Sequence, residues 1–253
     1  MRREGDLSES AAILNTFAVS HFCESARWTL DYKGVDYDEE SWAPLLHVTR
    51  TWRMKRTYTP ILRIDGEVLQ ESAAICEYID ERFPEPTLIP KEHREDVLRL
   101  ADEARSIGPH VRRMAYHAVG QNPELLEQAW ALNLPSREAK IQQLVFPLTR
   151  RMAFKAMKID EAHASKSEQF VREYLSDRDP WFASGRKYLV GERFTLADLT
   201  LAAMLSPLAR PAEHPFYPSM DLGAASEALI ESFRGYRLLD WVRRCYAEHR
   251  VRR

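Results

Sequence analysis

Apolar positions follow two rhythms along this chain, one in the first third and another beyond it. Ala12-Ile13-Leu14-Asn15-Thr16-Phe17-Ala18-Val19 is a nearly continuous apolar run and predicts a mostly buried strand. Cys23, Ala26 and Leu30 then recur at helical spacing, and Gly34 follows as a stop. Val35 to Trp42 predicts a second short strand. Strand, helix, strand in this compass is a βαβ unit, with parallel strands and a right-handed crossover. Pro60 to Leu69 carries Asp65-Gly66 between two apolar runs, a strong hairpin signal. Ile75, Cys76, Ile79 and Phe83 mark one face of a helix that starts near Ser72 and stops at Pro84 and Pro86.

Beyond residue 90 the helical period takes over. Val97, Leu100, Ala101, Ala104, Ile107 and Val111 form a long apolar face, and Gly108-Pro109 predicts a bend in it. Asn122-Pro123 reads as a helix start, a cap followed by proline at the first position. Leu144, Val145, Leu148 and Met152 make another face, interrupted by Pro147, and Phe170, Val171 and Leu175 a third. Leu196 to Leu205 is apolar almost all round and predicts a helix in the middle of a bundle. Leu238, Leu239, Val242 and Tyr246 close the pattern. The reading is an α/β module over 11–85 and an all-α part over 93–253, with residues 1–10 a loose polar arm.

Composition narrows the classes. The chain has 253 residues, 45% hydrophobic and 29% charged, which suits a folded protein of one large or two small domains. Thirty-six basic against 38 acidic residues give a net charge of −2, with no electrostatic footprint for nucleic acid or an anionic membrane. No apolar stretch approaches the roughly 20 residues of a membrane span. No apolar segment backs the charged N-terminus, so no secretory signal is expected. Cys23, Cys76 and Cys245 are odd in number and widely spaced, which fits neither a zinc site nor a disulfide framework. A reducing cytoplasm is the expected compartment.

Three short signals could carry chemistry. Ser20-His21-Phe22-Cys23 lies between the first strand and the first helix. A helix N-terminus presents unpaired N–H groups and partial positive charge, so it stabilises a thiolate set before it. The same stretch also reads as Ser20 a plain helix cap and Cys23 a core residue. Thr59-Pro60 opens a strand of the hairpin, where proline is tolerated. A cis bond there would turn the Thr59 backbone groups toward an extended ligand. Glu71-Ser72 stands at a strand-to-helix turn. Ser72 is a plausible N-cap, and together with the helix amides its hydroxyl could take a carboxylate while Glu71 takes an ammonium group.

In this order and spacing, the signals resemble the glutathione S-transferase superfamily, from about Ile13 to Trp241. Ser20-His21-Phe22-Cys23-Glu24-Ser25-Ala26-Arg27 resembles the Ser/Cys-Pro-Phe stretch of tau- and omega-like classes. Tyr58-Thr59-Pro60-Ile61-Leu62 is similar to the segment with the cis-proline, and Glu71 to Ile79 to the Glu-Ser helix start. Tyr188 to Asp198 is the most specific match; Thr195 and Asp198 are placed there as a structural capping box.

The resemblance implies a thioredoxin-like glutathione-binding domain followed by a helical bundle that lines the second-substrate pocket. Ser20 would donate to the glutathione sulfur, with Phe22, Thr59, Pro60, Glu71 and Ser72 completing the glutathione site. The reaction would be thiolate attack on a small electrophile, with glutathione as co-substrate, no metal, and a homodimeric assembly. Arg112, Arg113, Tyr116 and His117 fall where the second pocket's helix runs, and His21 is a further candidate for that pocket. Departures from the family pattern are His21 in place of the usual proline, with solvent exposure its simplest reading, and Thr59 in place of an aliphatic residue. Arg53, Lys55 and Arg56 all remain candidates for the glycine carboxylate. The alternatives are a non-catalytic binding or regulatory relative, and a thiol–disulfide oxidoreductase using Cys23.

Overall fold

A computed structural model describes residues 12–44, 58–183 and 185–250. Arg53, Lys55, Arg56 and the N-terminal arm lie outside the described residues. In the α/β part the elements are β1 (Ala12–Thr16), α1 (His21–Tyr32), β2 (Tyr37–Ser41), β3 (Ile61–Ile64), β4 (Glu67–Gln70) and α2 (Ser72–Arg82). The sheet order is β2-β1-β3-β4. β1 and β2 are parallel, with Ala12 opposite Tyr37 and Thr16 opposite Ser41. β3 runs antiparallel to both β1 and β4. The β3–β4 turn is closed by Asp65 and Gly66 at φ 51° and 81°, the two positive values that a type I′ hairpin requires.

The helical part runs α3 (Arg94–Val119), α4 (Pro123–Ala131), α5 (Ser136–Ala156), α6 (Glu161–Ala183), α7 (Leu196–Ala209), α8 (Gly223–Glu231) and α9 (Arg237–His249). α3 continues through Pro109, so the chain keeps its helix where the sequence predicts a bend. Proline there only removes the N–H that would have reached the Arg105 carbonyl. α7 is buried around nearly its whole circumference, as its uniform apolarity predicts.

α1 joins the two parts. Ala26 and Leu30 pack with Leu14, Leu62, Ile75 and Ile79 against the sheet. Trp28, also on α1, lies in the other core, among Phe194, Tyr246 and the α7 side chains. A buried charge network reinforces this seam. Arg250, just after α9, donates to Glu24 at 2.8 Å and to Asp31 at 2.7 Å. Arg27 donates to Glu24 at 2.6 Å and to Glu39 at 2.7 Å. Burial alone would raise Glu24, but Arg250, His214 and Arg27 hold it down at about 2.

One predicted face is turned outward. Leu144, Leu148 and Met152 on α5 are 83%, 61% and 51% exposed. The inward face is Gln142, Phe146, Thr149 and Ala153. Gln142 Nε2 donates to Thr149 Oγ1 at 3.3 Å, and the Thr149 hydroxyl donates to the Phe146 carbonyl at 3.1 Å, while among the described residues the buried Gln142 Oε1 has no hydrogen-bond partner.

Candidate active site

Ser20 is the N-cap of α1. Its Oγ accepts the Cys23 N–H at 3.3 Å. That bond uses an oxygen lone pair and leaves the hydroxyl hydrogen free to donate elsewhere. The side chain faces a cleft of about 910 Å³, open to solvent, bordered by Phe17, Phe22, Trp42, Thr59, Tyr116 and Trp130 among others. Ser20 therefore places an O–H donor, the first-turn amides and the positive helix end on one cleft wall.

Cys23 stands one turn further on and is fully buried. Its sulfur accepts the Phe17 N–H at 3.4 Å and contacts Thr59 Oγ1 at 3.6 Å. Burial pushes the thiol up, so it is held protonated and away from the cleft. This counts against a thiol–disulfide centre at Cys23.

Thr59–Pro60 is a cis peptide bond. Thr59 lines the cleft, and among the described residues its backbone N–H and C=O pair with no other backbone group. Pro60 itself is buried, and its carbonyl accepts the Glu71 N–H at 3.3 Å. Glu71, rather than Ser72, occupies the cap position of α2; Ser72 is the first helical residue and is buried. The difference comes from the backbone. Glu71 sits at φ 75°, ψ 137°, outside the regions an L-residue ordinarily adopts. Strain of this kind costs of order 1–3 kcal/mol and concentrates at ligand sites. The Glu71 carboxylate is exposed and accepts the Tyr58 hydroxyl, and Tyr58 in turn borders the cleft. The Glu-Ser turn thus connects to the Ser20 cleft through Tyr58.

His21 is buried, not solvent-exposed. Its Nε2 lies 3.1 Å from the Gly108 carbonyl of α3. A carbonyl only accepts, so Nε2 carries the hydrogen. Burial, reinforced by Arg112, lowers His21 to about 3, and the ring stays neutral. Phe22 also packs on α3, so closely that a Cβ on Gly108 would come within 2.5 Å of its ring. It serves the α1–α3 seam as well as the cleft wall.

The four residues expected in the second pocket separate in the structure. His21 and Tyr116 line the Ser20 cleft and a second cavity behind it. Arg113 and His117 are in neither lining. Arg113 instead donates to the Met157 carbonyl at 3.3 Å and the Ser167 hydroxyl at 2.7 Å. The reason is helical phase. Arg112 and Tyr116 are four apart and share a face of α3, whereas Arg113 and Tyr116's neighbour His117 are rotated about 100° from it. Trp42, just after β2, Trp130 on α4 and Met157, just after α5, also border the cleft, and none of them stands in a motif of the sequence.

The Tyr188–Asp198 segment behaves as a capping box. The Asp198 carboxylate accepts the Thr195 N–H at 2.9 Å and the Leu189 N–H at 2.7 Å. It lies away from the cleft and closes the end of the central helix.

Comparison with known proteins bears on the family and the fold. Residues 14–87 match the model of the glutathione S-transferase N-terminal domain, and residues 139–216 that of the C-terminal domain. A probable glutathione S-transferase of Nicotiana tabacum is 35% identical over 188 residues, which is 72% of this chain and 65% of that protein. Another from Solanum tuberosum is 36% identical over 78 residues, 29% of this chain and 35% of that protein. The matches therefore span about a third and just under two thirds of those relatives' lengths. Among solved structures, glutathione transferase GSTFuA2 of Phanerochaete chrysosporium aligns with a TM-score of 0.62 at 14% identity, over 96% of this chain and all of that one. A glutathione S-transferase of Methylobacillus flagellatus with glutathione bound aligns at 0.59 and 21% identity, over 93% and 94% of the two chains. Sequence motifs, fold and both family models agree: the chain belongs to the glutathione S-transferase superfamily.

Proposed function

We propose that this protein is a glutathione-dependent transferase in which Ser20 stabilises the glutathione thiolate for attack on a small electrophile. The observation that carries the reading is the Ser20 hydroxyl, which caps α1 through its oxygen while its hydrogen is free toward the cleft. Magnitudes support it. Lowering a thiol from about 8.5 to about 6.5 takes roughly 2.7 kcal/mol. A hydrogen bond to a charged acceptor supplies about 1.5–3 kcal/mol, and the helix end about 0.3–2 kcal/mol. Hydroxyl and helix end together suffice.

The thiol proton leaves to solvent. The thiolate sulfur then forms a bond to the electrophilic carbon, and the leaving group departs with the electron pair of the bond that breaks. The Thr59 backbone N–H and C=O would pair with the tripeptide's extended backbone, and Glu71 with its ammonium group. The same reading takes the protein to be a cytoplasmic homodimer, as the family resemblance implies.

Ser20→Ala should raise the pKa of bound glutathione by about one to two units, read from thiolate absorbance against pH, and lower conjugation at neutral pH accordingly. Cys23→Ala should leave both unchanged. The reverse pattern would assign the chemistry to Cys23.

A further inference from the structure

The second cavity opens behind the Ser20 cleft and shares Val19, His21, Arg112 and Tyr116 with it. It encloses about 670 Å³, part of it open to solvent. Its remaining walls come from α3, α4, α7 and α8 and are mostly aliphatic, with Val119, Leu126, Leu208, Leu229 and Ile230 as examples. The space suits an apolar body the size of one or two aromatic rings.

Arg112 stands at the junction of the two cavities. It is half-buried, and among the described residues it forms no ion pair and no hydrogen bond. Its guanidinium lies 5.9 Å from the Phe22 ring centroid and close enough to the Tyr116 and His21 side chains to interact with them electrostatically. Among the described residues, no Asp or Glu lines either cavity. A guanidinium placed in an apolar wall without a counter-charge is costly unless an anion joins it. A second polar group in the same wall also lacks a partner: the Ser226 hydroxyl is buried and unpaired.

We propose that the second substrate is an apolar, ring-sized electrophile bearing a carboxylate or similar anionic group, and that Arg112 binds that group. As a statement about the substrate this rests on the glutathione reading, but the anion site itself does not. The fork of guanidinium donors favours a planar carboxylate over a neutral amide of the same shape.

Calorimetric titration with naphthalene-1-carboxylate and with naphthalene-1-carboxamide tests this, with no glutathione present. The carboxylate should bind at least about tenfold more tightly, and Arg112→Gln should abolish that difference. Arg112→Lys, which keeps the charge, should retain part of it. Arg112→Gln should melt no lower than the parent, because it removes an unpaired charge. Equal affinities for the two probes, a preference that survives in Arg112→Gln, or binding of neither probe would overturn the proposal. So would a thiolate titration that shifts in Arg112→Gln with the carboxylate preference intact, since Arg112 would then serve the sulfur. Reduced glutathione, titrated separately, keeps the two readings apart. A carboxylate preference without glutathione binding would remove the transferase reading alone. Glutathione binding without the preference would remove the anion site alone.

Discussion

At the scale of single residues, the same side chain can satisfy a structural demand and a chemical one. Ser20 accepts a backbone N–H with its oxygen and has its hydrogen left over. This is why the sequence alone left the cap and the thiol-activating readings both open. The structure shows that they are compatible. His21 and Arg113 show the limit of residue-level reading. A histidine after a helix cap looks solvent-exposed, yet the Gly108 carbonyl on a helix 87 residues away provides its partner. Arg113 looked like a pocket residue and Arg112 was its equal in the sequence. One residue of helical phase separates a guanidinium that ties α3 to α6 from one that faces the cavity.

At the scale of elements, legibility followed how strongly each segment constrains its own backbone. The Asp65-Gly66 hairpin and the Asn122-Pro123 helix start form as the sequence predicts. The Thr195–Asp198 box does as well, because its two side chains answer backbone groups three residues apart. Thr195→Ala should cost about 0.5–2 kcal/mol of stability in denaturant melts and leave glutathione affinity unchanged. A loss of affinity without a loss of stability would contradict the structural role. α5 was misread because it is apolar on more than one side. Periodicity cannot choose between Leu144-Leu148-Met152 and Phe146-Ala153, and only the partner across the interface decides. α2 starts at Ser72 as the sequence predicts, but the cap position falls on Glu71, at positive φ, rather than on the serine that is the commoner cap.

At the scale of the whole molecule, the seam between the sheet part and the bundle holds buried ionisable groups, and these make stability depend on pH. His21 and His214 are both lowered from 6.5 to about 3, chiefly by burial. Between those values the unfolded chain binds a proton at each histidine that the folded chain does not. Stability is therefore fully present above about pH 6.5 and declines as pH falls toward 3. Glu24, held at about 2 against an ordinary 4.5, adds to the decline below 4.5. Asp198 works in the opposite sense, since burial raises it from 3.8 to about 6. Burial also lowers His110 and His249 and raises Asp31, so four lowered histidines against two raised carboxylates leave a net loss of stability on acidification between about pH 6 and 4.5. His21→Gln keeps a donor for the Gly108 carbonyl and removes one titrating group. It should flatten the stability profile in that window by about 1.4 kcal/mol per pH unit. An unchanged slope in urea titrations at several pH values would mean that His21 titrates normally in the folded protein.

The central claim is that the cleft between Ser20 and the Glu71-Ser72 turn holds glutathione. Calorimetric titration of reduced glutathione into the parent protein and into Glu71→Ala tests it most directly. The account predicts binding tighter than about 1 mM in the parent, weakened at least tenfold, or roughly 1.4 kcal/mol, in the variant. Absence of binding to the parent, or equal affinity in Glu71→Ala, would contradict it.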